Sequence, residues 1–129
     1  MKEASMSDNG GPVTIAYFYR TAWGAHDEFV GLFDRNHWPI LRDQLAAGRY
    51  LDVSASLPRF HGDGRADWDF MVTITYRDWA AIEEHSDAEI ARRLFPDQDR
   101  YREDERRRFS LLEGHWDVVL EPHELPEAG

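Results

Sequence analysis

Residues 67–76, DWDFMVTITY, decide the fold. Trp68, Phe70, Val72, Ile74 and Tyr76 fall on one side of an extended chain, and Asp69, Met71, Thr73 and Thr75 on the other. A two-residue period built from aromatic and β-branched side chains is the pattern of a strand with one face on a core. Immediately upstream, residues 61–66, HGDGRA, form a glycine-rich turn. The turn joins this strand to another over residues 49–60, where Leu51, Val53, Ala55 and Leu57 alternate with Tyr50, Asp52, Ser54 and Ser56. Pro58 cannot donate to a ladder, which suits this second run to a sheet edge. The two runs make a hairpin.

Further upstream, residues 13–20, VTIAYFYR, are apolar on both alternation sets: Val13, Ile15, Tyr17 and Tyr19 against Ala16 and Phe18. Such a strand belongs in the middle of a sheet with both faces covered. Residues 24–47, between it and the hairpin, are helical in character. Asp27 and Glu28 stand in the first turn, where the helix dipole favours anions, and Phe29, Phe33 and Ile40 form an apolar stripe flanked by Leu41 and Leu45. Pro39 removes a backbone donor and crowds the preceding turn, so a kink or break is expected over residues 36–39. Gly48 suits the position just past a helix end.

Downstream, residues 78–84 read as a short helical turn. Ser86 with Glu89 forms a capping box opening a helix that carries Ile90 and Leu94. Pro96 breaks that run, and Asp97 caps another helix over residues 98–112, with Tyr101, Phe109 and Leu112 inward and Gly114 ending it. Residues 115–121 are the last strand, with Trp116, Val118 and Leu120 opposite His115, Asp117 and Val119. The order is β-α-β-β-α-β. The expected class is therefore α+β, a ferredoxin-like unit with a four-stranded antiparallel sheet and both helices on one face. The other face keeps either Phe18, Met71 and threonines or, with the phase reversed, Trp68, Phe70, Val72 and Ile74. Either set is too much apolar surface for a lone chain, and a second copy is the simplest cover, so a homodimer is expected.

The 129 residues make one domain, expected over residues 13–121, with tails over 1–12 and 122–129. A net charge of −10 disfavours nucleic acid and anionic membrane surfaces as partners. The chain has no cysteine, which removes disulfide and thiolate chemistry. No segment reaches the roughly 18–20 apolar residues of a spanning helix. The first residues lack the apolar core of a signal peptide, and the expected location is the cytoplasm.

Several short runs then carry a resemblance. They are Tyr17-Phe18-Tyr19-Arg20, Gly24 with Asp27-Glu28-Phe29, Asn36-His37-Trp38-Pro39, Gly48-Arg49, Trp68-Asp69-Phe70, and Tyr76 with Trp79. Together they resemble the dimeric α+β barrel superfamily over residues 13–121, with its NIPSNAP-like and antibiotic-monooxygenase-like groups nearest. The resemblance implies a strand order 4-1-3-2, a homodimer, and a pocket between sheet and helices. The superfamily spans cofactor-free monooxygenases, haem-dependent enzymes, muconolactone-type isomerases and aldoxime-type chemistry, and fold alone does not choose among them.

His37 is the leading candidate for chemistry, with Asn36 beside it, at the expected proline kink. An imidazole titrates near neutrality and serves as acid or base, and a polar pair facing aromatics anchors a ligand. Tyr17, Tyr19, Trp68 and Phe70 on the central strands, with Trp38, are candidate walls for an aromatic or polyketide-like molecule, although core packing explains each taken singly. His61 and His115 are further ligand-binding candidates, against readings as a loop histidine and a dimer contact. His37, His61 and His115 with Asp67 or Asp69 suit a metal chemically, but no H-x-x-x-H or H-x-H spacing supports one, and no metal or cofactor is expected. Arg106, Arg107 and Arg108 follow Glu103, Asp104 and Glu105 at helical pairing distances, a solvated salt-bridged face. Three functions remain, in this order: a small-molecule pocket of oxygenase or isomerase type, a non-catalytic structural or regulatory homodimer, and a haem- or metal-dependent enzyme.

Overall fold

The computed structural model describes residues 11–60 and 67–128. Four strands, β1 (Val13–Thr21), β2 (Tyr50–Ser56), β3 (Phe70–Tyr76) and β4 (Leu112–Leu120), form one antiparallel sheet. Its order is β2-β3-β1-β4, which is the expected 4-1-3-2. The two strands with the richest aromatic content are thus the central ones. Between β1 and β2 run α1 (His26–Leu32), a π-helical turn (Phe33–His37) and α2 (Trp38–Ala46). Between β3 and β4 run α3 (Trp79–Ile82), α4 (Asp87–Leu94) and α5 (Gln98–Ser110). Within this helical layer α1 packs on α5 and α2 on α4.

Register settles the phase that alternation left open. Ile15 pairs with Ile74, Tyr17 with Val72 and Tyr19 with Phe70, and this set faces the helices. It forms the core with Phe29, Leu32, Phe33 and Leu41. Thr14, Ala16 and Phe18 pair with Thr75, Thr73 and Met71 on the opposite face.

The helical break expected at Pro39 is a π turn. Trp38 N–H donates to the Phe33 carbonyl, five residues back. In a regular helix the Pro39 ring would press on the Arg35 carbonyl; the wider turn carries that carbonyl clear. Gly48, at φ 82°, closes α2 in the left-handed region as expected.

Several expectations are corrected. The second strand stops at Ser56, two residues before Pro58. The third begins at Phe70: the Asp69 N–H still donates to the Tyr19 carbonyl (2.8 Å), but its carboxylate takes the Thr21 N–H and Oγ1 (2.7 and 3.2 Å), and the regular pairing goes no further towards residue 67. Trp68 consequently leaves the Phe70 face and packs edge-on against Phe18, 5.7 Å between centroids, on the other side of the sheet. The Ser86 hydroxyl does not cap α4; it accepts from Gln44 Nε2 at 3.0 Å. The last helix ends at Ser110, and Gly114 lies inside β4 opposite Arg20. Phe109 is half exposed, and Arg108, 2 % exposed, takes the inward position. The turn over residues 61–66, most of the N-terminal tail and Gly129 lie outside the described residues. No helix among the described residues is long and apolar enough to cross a membrane.

Candidate functional site

A cavity of about 150 Å³ lies between the sheet and the π turn. Tyr17, Tyr19, Tyr50, Val72, Ile74 and Tyr76 form its sheet side. Phe33, His37 and Leu41 form its helical side, and Asp87, the first residue of α4, stands at its rim. The π turn is what aims His37 inward, since each residue of a widened turn faces a direction that an unbroken α-helix would not give it.

The sheet side is a cluster of phenols. Tyr17 and Tyr76, four register positions apart on the two central strands, bring their hydroxyls to 2.6 Å. The Tyr50 ring meets the Tyr76 ring edge-on, 4.9 Å between centroids. Burial, and then the hydrogen bond with Tyr76, push the Tyr17 hydroxyl well above the usual phenol range. Burial does the same to Tyr50 and Tyr19. These hydroxyls are therefore neutral donors near pH 7 rather than phenolates.

His37 faces them from the helical side, its ring edge-on to Phe33 at 5.3 Å. Burial, with the Arg108 cation adding to it, pushes the imidazole down to about 4, against opposing pulls from Glu105 and Asp87. The ring is neutral over the physiological range. No hydrogen bond to either of its nitrogens is made among the described residues. It carries a free lone pair and a free N–H beside the cavity.

Asn36 points the other way. Its side-chain amide donates to the Tyr101 carbonyl (3.2 Å) and to Glu105 Oε2 (3.3 Å), tying the π turn to α5. Glu105 also accepts from Arg108 Nε and Nη2 at 3.0 and 2.8 Å. Burial raises the Glu105 carboxyl, but the bonds from Arg108 and Asn36 outweigh it and hold it below its ordinary value. This buried cluster sits behind His37. The charge run 103–108 concealed it, yet helical spacing places Tyr101, Glu105 and Arg108 on one stripe, a signal available in the sequence.

The other candidates divide. Tyr17 and Tyr19 line the cavity with His37. Phe70 lies in the core beside Phe33, 4.9 Å between centroids, rather than on the wall. Trp38 packs at the core's edge under the Arg42 guanidinium. Trp68 is across the sheet. His115 is exposed on the edge strand and stacks near Tyr19 at 6.3 Å. His61 lies outside the described residues. Tyr50, Tyr76 and Asp87, unremarked in the sequence as site residues, complete the wall. Among the described residues no three His, Cys, Asp or Glu side chains converge to hold a metal ion.

No family model and no curated protein sequence matches the chain. Solved structures do resemble it. A NIPSNAP family protein from Agrobacterium tumefaciens is 19% identical with a TM-score of 0.53, the match covering 90% of each chain. The cofactor-independent oxygenase SnoaB from Streptomyces nogalater is 16% identical at 0.52, over 90% of this chain and 98% of the other. A dimeric protein of unknown function and ferredoxin-like fold from Bacteroides fragilis is 9% identical at 0.52, over 86% and 96%. At these identities the likeness is one of fold: this chain is an α+β, ferredoxin-like protein.

Proposed function

We propose that this ferredoxin-like chain is a homodimer that binds one small apolar or aromatic ring between sheet and helices, with His37 as the proton acceptor of cofactor-independent oxygenase or isomerase chemistry. The carrying observation is His37 itself, neutral and without a hydrogen-bond partner among the described residues, on the wall of a partly open cavity lined by aromatic rings. Both reaction types begin by taking a proton from the substrate. An isomerase returns it elsewhere; an oxygenase lets the resulting anion meet dioxygen. The fold shared with SnoaB supports the reading only as an analogy. A cavity of about 150 Å³ holds a benzene-sized ring, not a fused polyketide skeleton. A His37→Ala chain that keeps its circular dichroism should bind single-ring probes several-fold more weakly; unchanged affinity counts against His37 as the anchor.

The non-catalytic homodimer is the second reading. It is favoured by cavity size, which is below the roughly 300 Å³ at which ordinary ligand sites begin. Toluene that leaves every cavity-lining resonance unmoved would select it.

A further inference from the structure

The phenol cluster names the ligand's chemistry more narrowly than the cavity does. Tyr17 and Tyr76 share one hydrogen bond between two hydroxyls, so one O–H proton is left over. Passing it on to Tyr50 moves the spare proton without consuming it. No carbonyl or carboxylate among the described residues accepts a hydrogen bond from these three hydroxyls. A half-buried donor without a protein acceptor, on the wall of a cavity, is a place for an oxygen that the protein does not supply.

From this geometry we infer that the Tyr17–Tyr76 hydroxyl pair is the polar end of the ligand site and that it receives the oxygen of an uncharged cyclic ketone or phenol. This rests on the cavity reading above and deepens it. Charge on the ligand is selected against. The cavity wall carries no Lys or Arg, and its one ionised group is the Asp87 carboxylate at the rim, held by Gln44 Nε2 at 2.8 Å; the nearby Arg49 guanidinium is engaged by that carboxylate (3.8 Å) and by the Ala81 and Glu84 carbonyls. A benzoate-like anion would meet that carboxylate, a neutral imidazole and a chain of net charge −10. A ketone or phenol oxygen finds the spare O–H on the sheet side, while its ring fills the space between Val72, Ile74, Phe33 and Leu41. The oxygen lies at one end and His37 at the other, so a carbon acid bound this way would present its C–H bond to the imidazole lone pair. When that bond breaks, its electron pair moves onto the oxygen and the proton onto His37. Returning the proton closes the cycle with nothing oxidised.

The test uses the full chain and four probes of one ring each, toluene, cyclohexanone, phenol and benzoate, titrated against cavity resonances by NMR. Cyclohexanone and phenol should bind about tenfold more tightly than toluene, the worth of one buried hydrogen bond. Benzoate should bind more weakly than toluene. The double variant Tyr17→Phe, Tyr76→Phe should still bind toluene, which reports that the cavity has folded, and should lose the preference for oxygen. Toluene binding as tightly as cyclohexanone in the wild type, benzoate binding best, or a preference that survives both substitutions overturns the inference and leaves the cavity reading standing. Failure of all four probes overturns both. A double variant that fails to bind toluene is replaced by Tyr17→Phe alone, where a preference for oxygen undiminished against the wild type overturns the inference.

Discussion

His37 is held neutral by burial and by Arg108, and that has a thermodynamic signature. The unfolded chain takes up the proton near 6.5, whereas the folded chain waits until about 4. Between those values the native state binds fewer protons, so stability is full above 6.5 and is lost as pH falls towards 4. The loss between pH 7 and pH 5 is about 2 kcal/mol. Urea unfolding at both pH values should show this slope in the wild type and lack it in His37→Gln; equal slopes would place the titration on another group. Behind the imidazole, Arg108→Ala strands the Glu105 carboxylate and should cost about 3 kcal/mol, while Glu105→Leu with Arg108→Met should recover most of it. The single variant should also raise the His37 titration point, read by NMR, because a cation is lost and an anion remains. Of these residues the sequence exposed His37, through the proline two positions on. It did not expose Arg108, because a run of three arginines after three acids looks solvated until helical phase is weighed against it. Nor did it show which way Asn36 turns: a π turn re-aims consecutive side chains, and alternation rules carry no term for it.

Elements were legible where a single period persisted. The alternation of β3 and the two-sided apolarity of β1 survive folding intact because their pairing register keeps every second side chain on the core. Element ends were not legible where a long-range bond competes with a local one. Ser86 is the clear case: the capping box is a local preference, and Gln44 from α2 takes the hydroxyl instead. Arg49 acts at the same scale. Buried to 6 % exposure, it donates through Nε to the Ala81 carbonyl at 2.7 Å and through Nη2 to the Glu84 carbonyl, fastening the end of α3 to the start of β2. Its guanidinium also lies over the Tyr50 and Tyr76 rings, at 5.3 and 5.9 Å. Arg49→Met keeps the bulk and removes the donors from two carbonyls. The expected cost is about 2–3 kcal/mol, measured by urea unfolding. Because residues 83–86 lead directly into Asp87 at the cavity rim, amide exchange in that segment should quicken more than in β3. A loss below about 0.5 kcal/mol would mean water replaces the guanidinium without penalty.

At the scale of the whole molecule the sheet has two unlike faces, and only one is provided for. Helices cover the Tyr17–Val72 face. The other carries Phe18 between Trp68 and Trp116, with ring centroids 5.7 and 5.6 Å away, and Trp116, Val118 and Leu120 are 37 %, 42 % and 46 % exposed. An aromatic row of this kind in the middle of a sheet has the composition of an interface centre. In the proposed homodimer a second copy would meet it by symmetry. Phe18→Glu separates the two faces. In a lone chain Phe18 is only partly buried, so a carboxylate there reaches water at small cost to the fold. In a face-to-face dimer two such charges would be buried opposite an apolar row, at a cost of several kcal/mol. Sedimentation equilibrium at tens of micromolar, a concentration at which a standard-sized interface stays associated, should find dimers for the wild type and monomers for the variant. A monomeric wild type sinks the homodimer. The cavity lies wholly on the helical side, so the monomeric variant should still bind a single-ring probe; binding lost together with the dimer would mean that the partner holds the helical layer in place.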